Sequence, residues 1–296
     1  MSSLTSMPAD LIQLVGWRVL AGDLLDYVRF RGVCTHLRSS TVSPRGRGIT
    51  DPRFHPRQWL MLPEDDPRPP RDGTDRKRFL NLGTKVFVCP RVPLLNDHCI
   101  ISRHEGLLLL QRSRRHTDED NIDDVCLLHP FTGDVAKFPP ITYVTICLGS
   151  TRWNARNKRF FPWNVSASLS LSVEGVPMLM IMITDMPRVL FAAMDDKQWS
   201  FSAWSFSQTG IIRSSQGKLY MSLLLPNLPG DEPQIFQIDP PRRQKISSGL
   251  SSYSFPPQKV ITATQYQAIF GGPFKLVEFD NKRFYTSASL FGHKFS

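Results

Sequence analysis

From about residue 79 onward the chain is a succession of short apolar or alternating runs, each closed by glycine, proline or small polar residues, with no helical pattern of comparable length between them. This rhythm of run and breaker constrains the fold more than any other feature. Residues 99–102, 107–110, 125–128, 169–173, 179–183, 189–193 and 199–204 carry it first. Residues 211–213, 218–225, 235–238 and 274–279 follow. Runs of this length bounded by turn residues form strands, and many short strands at such spacing build a sandwich, barrel or propeller. The absence of interleaved helical patterns argues against a parallel α/β fold. The 24 prolines and 18 glycines, spread along the chain, favour short strands and turns.

The first forty residues are different. Pro8 stands where a helix can begin, and Leu11, Val15 and Val19 follow at steps of four with Ile12 and Leu20 beside them, an amphipathic helix with a wide apolar stripe. Gly22-Asp23 breaks that helix, and Asp23 is placed to cap a second one carrying Leu24, Leu25, Val28 and Phe30. Residues 31–38 read as a turn and a short third helix. Three such helices bury little by themselves, and the stripe is wider than their own core requires, so the unit calls for a partner. Residues 43–78 hold seven prolines (44, 52, 56, 63, 67, 69 and 70) among many arginines and read as a linker or an irregular first-blade loop.

The net charge of +10 and pI of about 9.6 permit acidic or nucleic-acid partners without demanding them. The arginines are scattered between Arg29 and Arg115 and form no continuous basic helix face. A helix-turn-helix reading of the first forty residues would have only His36 and Arg38 as polar readers on its recognition helix. Five cysteines at irregular spacing suit reduced thiols of an intracellular protein. No secretory signal opens the chain, and the apolar run 176–183 falls short of a bilayer span. The expected location is the cytosol or nucleus, where the sequon beginning at Asn164 stays unused.

Motifs of catalysis are missing from the sequence: no Gly-x-Ser-x-Gly, no His-Glu-x-x-His, no phosphate-binding glycine loop. His104-Glu105, beside an expected turn, reads as hydrogen bonding at a strand end. Cys126 and His129 have ligand-like spacing but lack two further zinc ligands, so a buried thiol and a turn histidine are expected, with no metal and no cofactor. The charged segment 112–124 reads as a solvated hairpin loop; its acidic part lacks the central glycine of a calcium loop. Trp59, Trp153, Trp163, Trp199 and Trp204 are expected to be mostly packing residues, at least three of them structural.

The segment Met7-Pro8-Ala9-Asp10-Leu11-Ile12, with Phe30-Arg31-Gly32-Val33-Cys34-Thr35-His36-Leu37-Arg38-Ser39, resembles an F-box. Met7 stands where that family has leucine and Leu37 where it has tryptophan. The remainder resembles the KIB-type β-propeller, a domain of unknown function that follows an F-box in many cereal proteins. The segments that carry this likeness are 102–109 (SRHEGLLL), 127–133 (LLHPFTG) with Phe138-Pro139-Pro140, 216–220 (QGKLY) and 275–278 (KLVE), in the family's order. The chain stops at Ser296 where that family continues, so either an incomplete last blade or fewer blades is expected.

The resemblance implies an α+β multidomain chain: a three-helix F-box over 4–42, a linker or first-blade loop over 43–78, and an all-β, propeller-like receptor over 79–296. It further implies a non-catalytic substrate receptor of an SCF-type cullin-RING ubiquitin ligase, binding a Skp-type adaptor and an unidentified protein substrate. The expected adaptor contacts are Met7, Pro8, Leu11, Val15, Leu20, Val28, Val33 and Cys34. The alternative is a propeller scaffold whose F-box has lost its ligase role. A basic nucleic-acid-associated regulator is a weaker alternative, and no membrane partner is expected.

Overall fold

The computed structural model describes residues 6–62, 76–112, 125–140, 165–183, 186–206, 211–223, 234–245 and 251–262, residues 265 and 269, and the backbone of strands 274–279 and 282–287. Three helices open the chain: α1 (Ala9–Gly22), α2 (Leu24–Gly32) and α3 (Thr35–Ser39). Antiparallel sheets follow. The first is β1 (Trp59–Met61), β2 (Phe79–Asn81) and β3 (Phe87–Val88). The second is a meander of β4 (His98–His104), β5 (Leu107–Arg112), β6 (Val125–Leu128) and β7 (Val135–Phe138). The third repeats it with β8 (Val165–Leu171), β9 (Pro177–Ile183), β10 (Leu190–Ala193) and β11 (Ser200–Phe201).

The fourth sheet orders β12 (Ile211–Ser215), β13 (Lys218–Leu223) and β14 (Gln234–Ile238) before β17 (Lys259–Ile261). The pair β15 (Arg242–Lys245) and β16 (Ser251–Ser254) is inserted between β14 and β17. A last hairpin joins β18 (Phe274–Phe279) to β19 (Lys282–Ser287).

The sheets stack in chain order. Side chains alternate across a strand, so β5 sends Leu107 and Leu109 to one side and Leu108 and Leu110 to the other. The first pair packs with Leu127 and Phe138 against Ala167, Leu179 and Ile181 of the third sheet. The second pair packs with Cys126 and Leu128 against Val92, Met61 and Leu94. On β9, Leu179 and Ile181 face the second sheet, while Met180 and Met182 meet Leu219, Met221 and Ile238 of the fourth. Both faces of these sheets are therefore dry. This is why β5 and β9 read as continuous apolar runs, unlike the half-polar alternation usual in antiparallel sheets.

Strand β8 runs beside both β4 and β12. Ser166 donates its hydroxyl to the Ile212 carbonyl (3.1 Å), and His104 Nδ1 meets the Ser214 hydroxyl (3.0 Å). The first strands of the three meanders thus lie next to one another.

Asp23 fixes the helices to this stack. Its Oδ1 accepts from the amides of Leu25 (2.7 Å) and Asp26 (3.2 Å), capping α2 as the sequence suggests. Its Oδ2 accepts from Trp59 Nε1 (2.8 Å) and Asn81 Nδ2 (2.6 Å), both on the first sheet. Around this buried polar knot, Leu20, Leu24, Tyr27 and Phe54 form a core with Phe131. Phe131 in turn packs at 5.1 Å on both Trp59 and Phe79. The Arg53 guanidinium lies 4.1 Å over the Trp17 ring.

Of the segment 43–78, the part up to residue 62 is woven into the body rather than spanning open space. Residues 59–61 form β1, and Asp134 accepts from the amides of Gly46 (2.9 Å) and Gly48 (2.7 Å). Trp59 and Trp199 are buried, the latter donating to the Pro139 carbonyl (2.8 Å), and Trp204 packs on Phe206 and Phe255. Trp153, Trp163, Asn164, the charged segment 113–124 and the end of the chain past residue 287 lie outside the described residues.

Candidate docking surface on the N-terminal helices

The wide stripe of α1 is two faces of opposite fate. Ile12, Gly16 and Leu20 turn inward, Leu20 with 7% of its surface exposed. Leu11, Leu14 and Val15 turn outward at 48, 61 and 40% exposure. Val28 on α2 (45%) and Val33 past its end (69%) are exposed too, as is Pro8 at the helix start. Three and four residues apart on a helix is one turn, so Leu11, Leu14 and Val15 form a ridge. Isolated exposed apolar residues are ordinary, but several gathered on one short helical unit mark an interaction site.

The expected contacts therefore divide. Pro8, Leu11, Val15, Val28 and Val33 are exposed. Met7 and Cys34 are half-buried and hold the unit together: the Met7 carbonyl accepts from His36 Nε2 (3.1 Å), and Cys34 Sγ accepts the Leu37 amide (3.4 Å) as the cap of α3. Leu20 is corrected: it belongs to the core with Leu24, Tyr27 and Phe54 and is largely buried rather than part of the exposed face. Leu14 is the exposed residue of this face that the spacing argument passed over, although it lies three residues after Leu11, a spacing that places it on the same face. Leu37, at the family's tryptophan position, is 1% exposed and serves the interior.

A second polar constellation sits at the two-residue hairpin joining β4 to β5. Glu105 and Gly106 both take positive φ (48° and 85°), as Gln216 and Gly217 do in the hairpin joining β12 to β13 (49° and 75°), the signature of mirror-image tight turns. Glu105 Oε2 accepts from Arg57 Nη2 (2.7 Å) and Nε (3.1 Å) and faces His55 Nδ1 (3.3 Å). Its Oε1 accepts the Gln216 amide (3.0 Å), joining the two hairpins. Burial alone would raise the Glu105 carboxyl, but the His55 hydrogen bond and the charges of His104 and Arg57 outweigh it and hold it down to about 2. Burial holds neighbouring His104 down to about 4. His104 is 2% exposed, so its contact with Ser214 cannot be presented to a substrate; the arrangement is a latch between turns.

His129 is likewise committed. Its Nδ1 accepts the amides of Phe131 (3.3 Å) and Thr132 (3.0 Å), which leaves Nε2 to donate to the Phe54 carbonyl (3.0 Å). Both ring nitrogens are used in holding the turn at Pro130-Phe131, and neither is free for a metal. Among the described residues no helix is long and apolar enough to cross a membrane. No model of a known protein family matches the chain, and a search of curated proteins finds no match either.

Proposed function

We propose that this chain is the substrate-receptor subunit of an SCF-type ubiquitin ligase, gripping a Skp-type adaptor with its three-helix unit and a protein substrate with its propeller-like stack of sheets. The observation that carries the reading is the ridge of Leu11, Leu14 and Val15, with Val28 and Val33, left in solvent on a helical unit whose other face is anchored to the sheets. A helix ridge of this kind suits insertion into an apolar groove or against partner helices. The F-box-like residues of the same segment name the class of partner. The mechanism is positional: the chain makes no bond, and holding a substrate beside the loaded enzyme raises the effective concentration of its acceptor lysines.

The test is capture of a plant Skp-type adaptor by the purified chain, beside a Leu11→Asp/Val15→Asp variant. Both residues are exposed, so the variant keeps its fold. Capture by the wild type and loss in the variant is the expected result. Failure of the folded wild type to capture any adaptor overturns the ligase role and leaves an interaction scaffold.

A further inference from the structure

A cleft of about 880 Å³ opens where the β8–β9 hairpin of the third sheet meets the ends of strands from the fourth. We infer that it binds an acidic, extended peptide segment carrying an apolar side chain. In the receptor reading above it is the substrate groove, and to that extent the inference rests on that reading.

Charge comes first. Lys218, Lys259, Arg242 and Arg243 line the cleft against two carboxylates, Asp239 and Glu174. Lys218 and Lys259 both lie 3.1 Å from Asp239, so one carboxylate is shared between two ammonium groups. Lys259 is well exposed, and Arg242 projects into solvent. Arg243 lines the cleft but is already paired with Asp195 (2.9 Å). With Arg243 set aside as paired, Lys218, Lys259 and Arg242 still outnumber Asp239 and Glu174, and a concave wall with a positive excess attracts anionic partners.

The walls come second. Pro240 with Pro241 and Pro256 with Pro257 are two stiff pairs that present no amide hydrogen. A bound strand cannot complete a hydrogen-bond ladder at those four positions, so recognition falls to side chains. Fixed φ angles also leave the walls little conformational freedom to lose on binding.

The rim comes third. Val173, at the tip of the β8–β9 turn, is 107% exposed. Its turn is rigid: the Ser172 hydroxyl accepts the amides of Glu174 (3.3 Å) and Val176 (3.1 Å), and the Ser172 carbonyl accepts from Gly175 (2.9 Å). A valine held out on a rigid turn above a basic cleft, with Leu171 half-exposed beside it, suits an apolar side chain on the ligand. No aromatic ring stands among the described lining residues, which removes the stacking platform that a single-stranded nucleic acid would use.

The test is fluorescence anisotropy with the full chain and a labelled peptide of alternating glutamate and valine, beside a lysine–valine peptide and a single-stranded oligonucleotide. The acidic peptide is expected to bind, more weakly as salt rises, and the basic one not at all. Arg242→Glu/Lys259→Glu should weaken binding at least tenfold, and Val173→Asp should weaken it too. Lys137→Glu, a single charge reversal at an exposed position of β7, should leave binding unchanged. Melting curves of each variant confirm the fold. No binding of the acidic peptide, equal loss with Lys137→Glu, or tighter binding of the oligonucleotide each overturns the inference. Adaptor capture is read on the same proteins through the helices, which contribute no residue to the cleft, so failure of the cleft and failure of the ligase role give different patterns.

Discussion

Replacing Glu105 by glutamine tests the latch directly. The carboxylate accepts from Arg57, His55 and Gln216, ties the 55–57 turn to two hairpins, and is held down to about 2 from an ordinary 4.5. That difference corresponds to about 3 kcal/mol of stability carried by the charged form. The sign follows from the depressed value. The contribution is fully present above the unfolded-state value near 4.5 and is lost as pH falls toward 2. Glu105→Gln should therefore lower the unfolding free energy by about 3 kcal/mol at pH 7, and the gap between the two proteins should shrink by more than half at pH 3. Urea denaturation followed by tryptophan fluorescence at the two pH values measures both gaps. A gap that stays constant with pH would show that the glutamine disturbs packing only, and the electrostatic argument would be refuted.

Other outcomes follow from the same contacts. Leu20→Ala should cost about 2–5 kcal/mol of stability, whereas Leu14→Asp should change stability by under about 0.5 kcal/mol yet abolish adaptor capture; thermal melts and capture assays separate the two. Asp23→Ala removes the α2 cap and strands the Trp59 and Asn81 donors, so a loss of about 3 kcal/mol or more is expected in urea unfolding. Gly106→Ala should prevent recovery of soluble protein, because φ is +85° and the new carbon would sit 2.3 Å from the Pro56 carbonyl oxygen. Gly133→Ala, at φ +75° but facing open space, should cost only about 1 kcal/mol on thermal denaturation.

The strands that were legible are those whose burial writes itself into the sequence. Residues 125–128 and 274–279 coincide with β6 and β18, and β5 and β9 announce themselves as dry apolar runs. The strands that were not are β1 to β3, β7, β15 to β17 and β19; most are short and carry charged or small polar residues, and their pairing comes from neighbours, not from their own composition. Leu20 was misplaced for a related reason. Periodicity finds the apolar face of a helix but not which part of a wide face meets water, and here Phe54, thirty-odd residues away, decides it. The partners of Glu105, at positions 55, 57 and 216, are likewise brought together only by the fold.

The serial stacking of the sheets has a consequence for how the chain is made. A sheet with two dry faces has nowhere to hide one of them until the next sheet has been synthesised. When Leu127 and Phe138 leave the ribosome, their cover at Leu179 and Ile181 lies some forty residues or more further along the chain, still in the tunnel or not yet joined. The nascent chain therefore always carries one sticky flank, moving toward the C-terminus as synthesis proceeds. The run Met178–Ile183 within β9, apolar throughout and uncharged, is the most exposed to mispairing in that interval. Slow translation or a holding chaperone just before the fourth sheet emerges would decide how much of this protein a cell obtains.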